Sequence, residues 1–394
     1  MARNKSRLKA DMRKELDSIL NFWIKHSIDM QHGGFYGKID NNNSVFPEAE
    51  KGSVLNARIL WTFSAAYLMD KKPQYLYIAK RAYQYILDHF LDPVHGGVYW
   101  SVDKLGTPLS TRKQIYAQAF ALYGISEFYK ITREPEVLHH AVSLFKIIEK
   151  YSFDTKDGGY LEAFSQEWDL LEDLRLSDKD RNDPKTMNTH LHLIEAYANL
   201  YQVWPEEKLQ AKIVTLLAIF ETNIIDKETF QLQLFFDKKW LSQSNTVSFG
   251  HDIEASWLLP EAASVLKDTN LIKKWKAIGL NMADTAYSSL NPDGSFDHEY
   301  DSRTHHRDTH REWWVSAEGM AGFTHAYLNS KNKKYLDAVW GLWTFTQEHL
   351  LDKDKGEWFW GVLEDYSKME EYKIGFWKCP YHNARACMEL LKTL

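Results

Sequence analysis

One short motif recurs along the chain and limits what it can fold into. A glycine turn followed by alternating aromatic and polar residues appears as HGGFYGKID at 32–40, HGGVYWSVD at 95–103, DGGYLEAFS at 157–165, DGSFDHEYD at 293–301 and KGEWFWGVL at 355–363. Adjacent copies start 62 or 63 residues apart, except for one interval of 136. In the middle of that interval FQLQLFFD at 230–237 keeps the alternation without the glycines, making six copies. A fixed period of this length signals one supersecondary unit used repeatedly.

Each copy reads as a strand or hairpin. Apolar residues at three- and four-residue spacing predict helices on either side, over 8–26, 53–69, 74–91, 113–131, 135–151, 185–203, 205–225, 250–267, 271–288, 312–328, 334–350 and 380–391. Pro135, Pro205 and Pro380 fall at helix starts, where proline is accommodated, whereas Pro260 falls inside a helix and should bend it. Helix, hairpin, helix, six times over, predicts an all-α fold. It is a single (α/α)6 barrel in which six helix pairs close into a ring, and residues 1–394 form one domain. The rival is an open helical solenoid; six copies without a polar capping repeat favour closure.

In such a ring the second helix of every pair begins at the same end, and the unusual residues gather there. They are Arg58, Tyr116, Asn188, His190, His192, His251, Glu254, Trp313, Trp314, Glu318, Trp377, Tyr381, His382 and Arg385. Charged residues on an inner wall are costly unless paired or functional, so polar groups from six helices at one depth describe a pocket. His251 and Glu254, three apart, stack on one helix face, and a carboxylate beside an imidazole orients it and raises its basicity. Asn188 and His192, four apart, share a face that excludes His190, which is left a structural role.

Composition narrows the partners. A net charge of -6 gives no reason to expect nucleic acid or an anionic membrane, and no apolar run is long enough to span a bilayer. Two cysteines, Cys379 and Cys387, and the lack of an apolar signal core point to a reduced, cytoplasmic protein. No phosphate loop, nucleotide fingerprint or paired-cysteine metal motif is present, so no cofactor and no metal are expected. A metal held by the histidines would need ligands converging from three repeats. Glu254 and Glu318 as a glycosidase pair would leave the histidines without a task. A non-catalytic sugar-binding protein is the remaining alternative; the 15 Trp, 21 Tyr and 20 Phe include more than enough rings to cover a pyranose face.

The strings KGSVLNARILWTFSAAY (51–67), KQIYAQAFALYGISEFY (113–129), MNTHLHLIEAY (187–197), SFGHDIEASWLL (248–259), WWVSAE (313–318) and FWKCPYHNAR (376–385) resemble the N-acylglucosamine 2-epimerase superfamily, and within it the cellobiose 2-epimerases. The resemblance runs from about Phe22 to the C-terminus and implies the same (α/α)6 barrel. It implies that His251 and His382 are the acid/base pair and that His192 lies beside the reacting carbons. Arg58, Tyr116, Asn188, Glu254 and Glu318 are implied to hold the reducing sugar or orient the histidines. Trp314 and Trp377 are implied as aromatic walls, and Asp180 as a loop residue near the outer sugar. Ser316, Gly319 and Ala384 depart from the family's pattern. The implied activity is cofactor-independent inversion at C2 of the reducing glucose or mannose of a β-1,4-linked disaccharide, through a cis-enediolate. A monosaccharide 2-epimerase or an aldose–ketose isomerase is the variation within the superfamily. The implied partner is a small sugar, and the chain is expected to be a monomer or weak homodimer.

Overall fold

The computed structural model describes residues 4–394 and forms an (α/α)6 barrel. Its helices are α1 (Lys5–His26), α2 (Ser53–Asp70), α3 (Pro73–Tyr85), α4 (Ile115–Thr132), α5 (Pro135–Tyr151) and α6 (Met187–Tyr201). They are followed by α7 (Glu207–Ile219), α8 (Phe249–Val265), α9 (Thr269–Ser288), α10 (Trp313–Ser330), α11 (Lys333–Phe345) and α12 (Tyr381–Thr393). The six even-numbered helices form the inner ring: α2 packs on α4, α4 on α6, α6 on α8, α8 on α10, α10 on α12, and α12 on α2. No helix is long and apolar enough to cross a membrane among the described residues.

Burial follows from this placement. In α2 every residue from Ser53 to Ala66 is buried, and in α4 every residue from Ile115 to Phe128, because an inner helix is covered on all sides. Outer α5 buries one stripe, Val137, Ala141, Leu144, Phe145 and Ile148, at helical spacing. Gly124 permits a close approach of α4 to α2: a Cβ there would lie 2.6 Å from the Ala57 carbonyl. The helix α8 continues through Pro260, and Gly279 of α9 packs against the Ser256 carbonyl that Pro260 has no N–H to satisfy. The predicted helix over 74–91 is α3 followed by a π-helical turn, Ile86–Phe90, and α7 and α11 end in the same way at Phe220–Ile224 and Thr346–Leu350.

Four of the six repeated hairpins fold around an aspartate paired with a lysine. One oxygen of Asp92 accepts the Val94 and His95 amides of the turn, and the other takes the Lys113 ammonium at 2.8 Å, with both side chains fully buried. Asp29 with Lys51, Asp154 with Lys185 and Asp352 with Lys373 repeat the arrangement. In the copy without glycines, Phe230 adopts the left-handed conformation (φ 59°) that glycine takes elsewhere, so the turn survives the substitution at a steric cost.

Short strands then link neighbouring repeats. Lys51–Gly52 pairs with Ser101–Val102, Lys113–Gln114 with Ala163–Phe164, and Lys185–Thr186 with Phe235–Phe236. Thr246–Ser248 pairs with Glu299–Asp301, Arg311–Glu312 with Gly361–Val362, and Tyr372–Ile374 returns to Ile39–Asp40. At this seam α1 packs on α12, and the buried Glu357 accepts from Trp23, Lys378 and Asn383. Trp358 reaches back to Glu15.

His190 is enclosed at the start of α6. Its Nδ1–H donates to the Thr186 carbonyl at 2.7 Å, and its Nε2 accepts the Tyr160 amide at 3.0 Å, which fixes one neutral tautomer. Burial pushes its pKa down to about 4 despite the Thr186 contact. An unfolded histidine titrates near 6.5, so the unfolded chain binds the extra proton first and stability is lost as pH falls from about 6.5 towards 4. Replacing His190 by Phe is expected to lower stability at neutral pH and to remove about one proton from the acid dependence of unfolding. Urea titrations between those pH values check this, and an unchanged pH slope would refute it.

Candidate active site

The N-terminal turns of all six inner helices open onto one cavity of about 450 Å3. Arg58 comes from α2, Tyr116 from α4, Asn188 and His192 from α6, His251 and Glu254 from α8, Trp313 and Trp314 from α10, and His382 from α12. Trp377 closes one side just before α12, and the loop carrying Leu176 to Asp180 overhangs the rim. The sequence therefore brings Arg58, Tyr116, Asp180, Asn188, His192, His251, Glu254, Trp314, Trp377 and His382 to one place. His190, two residues from His192, is turned away into the hairpin, as the helical spacing requires.

Glu318 does not line the cavity; it stands behind His382. Its Oε1 accepts from His382 Nδ1 at 2.7 Å and from Arg385 at 2.7 Å, and its Oε2 accepts from Trp257 at 3.2 Å. Burial pushes the Glu318 pKa up, but every contact it makes is with a donor, so the carboxylate form fits this setting. Arg385 also bonds Glu195 and, at 2.8 Å, Glu254. One guanidinium thus serves three buried carboxyl groups. Glu195, although burial opposes its charge, is held down at about 2 by Arg385 and by the His192 contact. Burial and the neighbouring Glu318 push the Glu254 pKa well up, against the opposing pull of Arg385.

The expected His251–Glu254 pairing is not made. His251 Nδ1 bonds the Ser248 hydroxyl at 2.7 Å, while Glu254 lies one turn deeper, within reach of Arg385. A side chain in the first turn leans back towards the helix start, which favours Ser248. The imidazole–carboxylate contacts belong instead to His382 with Glu318 and to His192 with Glu195, whose Oε2 accepts from Nδ1 at 2.9 Å. In each of the three histidines Nδ1 is engaged, leaving Nε2 for another partner.

All three rings are biased towards the neutral form. Burial, with repulsion from His192, lowers His251 to about 3. Burial, Arg58 and Arg385 lower His382 well below the usual range, and burial lowers His192 against the opposing pull of Glu195. The Trp314 ring lies against both His251 and His382, with centroids 4.8 and 5.8 Å away.

Arg58 is the complementary charge. It is buried, has no ion-pair partner among the described residues, donates to the Tyr116 hydroxyl at 2.8 Å, and lies 4.1 Å from the Phe120 ring centroid. Its Nε and the Asn188 Oδ1 are buried without a partner. An unpaired buried cation is costly, which marks it as kept for a ligand. Asp180 is already engaged: its Oδ2 accepts the Ser177 amide and hydroxyl, both at 2.9 Å, and shapes the overhanging loop.

The aromatic hairpin at 358–360 contributes one ring to the cavity. Trp360 lines the cavity, whereas Trp358 and Phe359 are core residues. His298, Glu312, Glu371 and Tyr372 line it too and escaped the sequence reading, because they lie on hairpins rather than in an inner helix. Glu312, which accepts from the Trp314 and Trp360 indoles, directly precedes α10 and was legible by position. Ser316, Gly319 and Ala384 do not line the cavity. At Gly319 a Cβ would meet Leu342 at 2.7 Å, so that departure concerns helix packing.

Comparison with known proteins agrees with this architecture. The family model described as N-acylglucosamine 2-epimerase matches residues 34–386. A cellobiose 2-epimerase of Bacteroides fragilis is 47% identical over 386 residues, covering 98% of both chains. One from Dictyoglomus turgidum is 38% identical over 389 residues, covering 98% of this chain and 99% of the relative. The solved cellobiose 2-epimerase of Bacillus thermoamylovorans superposes with a TM-score of 0.95 at 38% identity, covering 99% of this chain and 100% of that one. The chain belongs to the N-acylglucosamine 2-epimerase family.

Proposed function

We propose that this chain is a cofactor-independent 2-epimerase acting on the reducing glucose or mannose of β-1,4-linked disaccharides, turning cellobiose into glucosyl-mannose and accepting lactose and mannobiose. The observation that carries the reading is a pair of imidazoles, half-buried His251 on α8 and buried His382 on α12, facing one cavity beside an unpaired guanidinium. The full-length similarity to cellobiose 2-epimerases supports the substrate class.

In the open-chain sugar the C1 carbonyl acidifies the C2–H. One imidazole, neutral at Nε2, takes that proton on one face. The electron pair moves into a C1–C2 double bond and leaves a cis-enediolate, whose negative charge Arg58 stabilises, while His192, its Nδ1–H held by Glu195, offers Nε2 as an acceptor to the enediol hydroxyl. The other imidazole, which carries a proton at that moment, delivers it to C2 from the opposite face. C2 is inverted and the two rings have exchanged protonation states. Glu318 behind His382 stabilises the imidazolium there, and Arg385 holds Glu318 in place. Tyr116, Asn188 and Glu254 offer hydrogen bonds to sugar hydroxyls. Trp314 and Trp377 cover ring faces, and Asp180 holds the loop beside the outer sugar. Residues 1–394 act as one domain, in the cytoplasm, as a monomer or weak homodimer; buried free Cys379 and Cys387 agree with a reducing compartment.

Incubation with cellobiose in D2O, followed by NMR, is expected to give the C2 epimer with deuterium at C2, and kcat/KM is expected to be higher on cellobiose than on free glucose or mannose. Preference for the monosaccharides would replace the substrate class and leave the chemistry. Release of glucose would make the protein a hydrolase, and a ketose product would make it an isomerase. His251→Ala and His382→Ala should each lower turnover at least ~100-fold in folded protein. Either variant retaining near-normal turnover would remove that ring from the mechanism. Because burial depresses both pKa values, the basic forms persist in acid, and the acid limb of kcat/KM is expected below the ordinary imidazole value of about 6.5. An acid limb above that value would contradict this assignment.

A further inference from the structure

At the cavity rim a hairpin places two imidazoles and a carboxylate face to face. Its strands, Glu299–Asp301 and His306–Asp308, pair antiparallel, and the His298 amide donates to the Asp308 carbonyl at 3.0 Å. His298 and His310 therefore flank the hairpin's open end and stack, with ring centroids 4.3 Å apart. Glu312, two residues further on, brings its carboxylate to both: Oε1 lies 3.2 Å from His310 Nε2, and Oε2 lies 4.0 Å from His298 Nδ1. The three ligand atoms lie within 4.8 Å of one another.

We propose that His298, His310 and Glu312 form a binding site for a divalent transition metal of the zinc class, separate from the acid/base histidines. Two imidazoles and one carboxylate are a donor set such ions favour. Tetrahedral zinc with bonds near 2.0–2.1 Å holds its ligand atoms about 3.3 Å apart, so the His310–Glu312 edge is preformed and only His298 must close in. His298 Nδ1 is buried and lacks a hydrogen-bond partner, so it is available as a donor to a metal.

The surroundings support the three ligands as they would around a metal. The Asp308 carboxylate bonds His310 Nδ1, leaving Nε2 to face Glu312. A carboxylate behind a ligating imidazole fixes its orientation and strengthens it as a donor. Glu299 Oε1 stands 3.7 Å behind His298 Nε2 on the other side. The Trp314 and Trp360 indoles each donate to one Glu312 oxygen and lock the carboxylate in place.

His298 and Glu312 also line the central cavity, so a bound ion with its water would stand where the outer part of a substrate enters. Metal and sugar exclude one another there. This second statement rests on the sugar reading given above, whereas metal binding does not.

Calorimetric titration of the chelator-stripped full chain with zinc chloride, above the imidazole pH range, is expected to show one zinc per chain. His298→Ala and His310→Ala should each weaken it at least tenfold, and Asp308→Asn about 10–100-fold, as loss of a supporting carboxylate does. Cobalt(II) added to the wild-type chain should develop visible ligand-field bands that zinc abolishes. Thermal melts of each variant without metal separate loss of the site from loss of the fold. Absence of zinc binding by the wild-type chain, or undiminished affinity in both histidine variants, would overturn the site. Cellobiose should weaken the apparent zinc affinity. If zinc binds and cellobiose is turned over but the two do not compete, the exclusion is refuted while the site stands.

Discussion

Three buried carboxyl groups around one guanidinium organise the centre of this barrel. Arg385 comes from α12, Glu195 from α6, Glu254 from α8 and Glu318 from α10, so a single cation ties four of the six inner helices at their common depth. One positive charge cannot neutralise three negative ones in a medium that penalises each of them. The crowding pushes the Glu254 pKa well up, and Glu195 and Glu318 are supported by hydrogen bonds from His192, His382, Trp257 and Tyr381. The imidazoles at the cavity are thus held from behind by the same network that holds the helices together. Packing and chemistry share these residues, and a change at Arg385 would disturb both.

The electrostatics of the cavity follow from that division. Glu195 and Glu318 stand behind His192 and His382, and the Arg58 guanidinium faces the cavity beside them, while Asp180, Glu312 and Glu371 line it from the loops and hairpins. An anion forming beside these rings meets the Arg58 cation, with Glu195 and Glu318 set back behind the imidazoles. That arrangement suits an anionic intermediate held next to Arg58.

The ring was legible because its cause is periodic. A turn spaced at one interval and flanked by helical patterns leaves few alternatives, and the residues at the starts of the inner helices share a depth for purely geometric reasons. Asn188, His192, His251 and His382 could be placed on that basis. What could not be read was which carboxylate meets which imidazole. The three-residue spacing of His251 and Glu254 suggested a pair within one helix, but the contact to His382 crosses from α10 to α12 and depends on ring curvature. The aspartate–lysine pairs under the hairpins were equally hidden, since an isolated lysine reads as a surface residue until Lys51, Lys113, Lys185 and Lys373 are seen to be buried.

The seam where Tyr372–Ile374 pairs with Ile39–Asp40 separates this barrel from an open stack of repeats in the order of its assembly. The aspartate–lysine contacts are local, joining residues 22 apart in Asp29–Lys51 and 21 apart in Asp92–Lys113. They can form while most of the chain is still disordered. The seam contacts join Trp23 to Glu357 across 334 positions and Glu15 to Trp358 across 343. The entropy of closing a loop grows only with the logarithm of its length, so prior formation of the hairpins and helix pairs shortens the effective loop and leaves closure a modest final step. The cavity has no complete wall before that step, because α2 and α12 meet only there. Ring closure and completion of the site are one folding event.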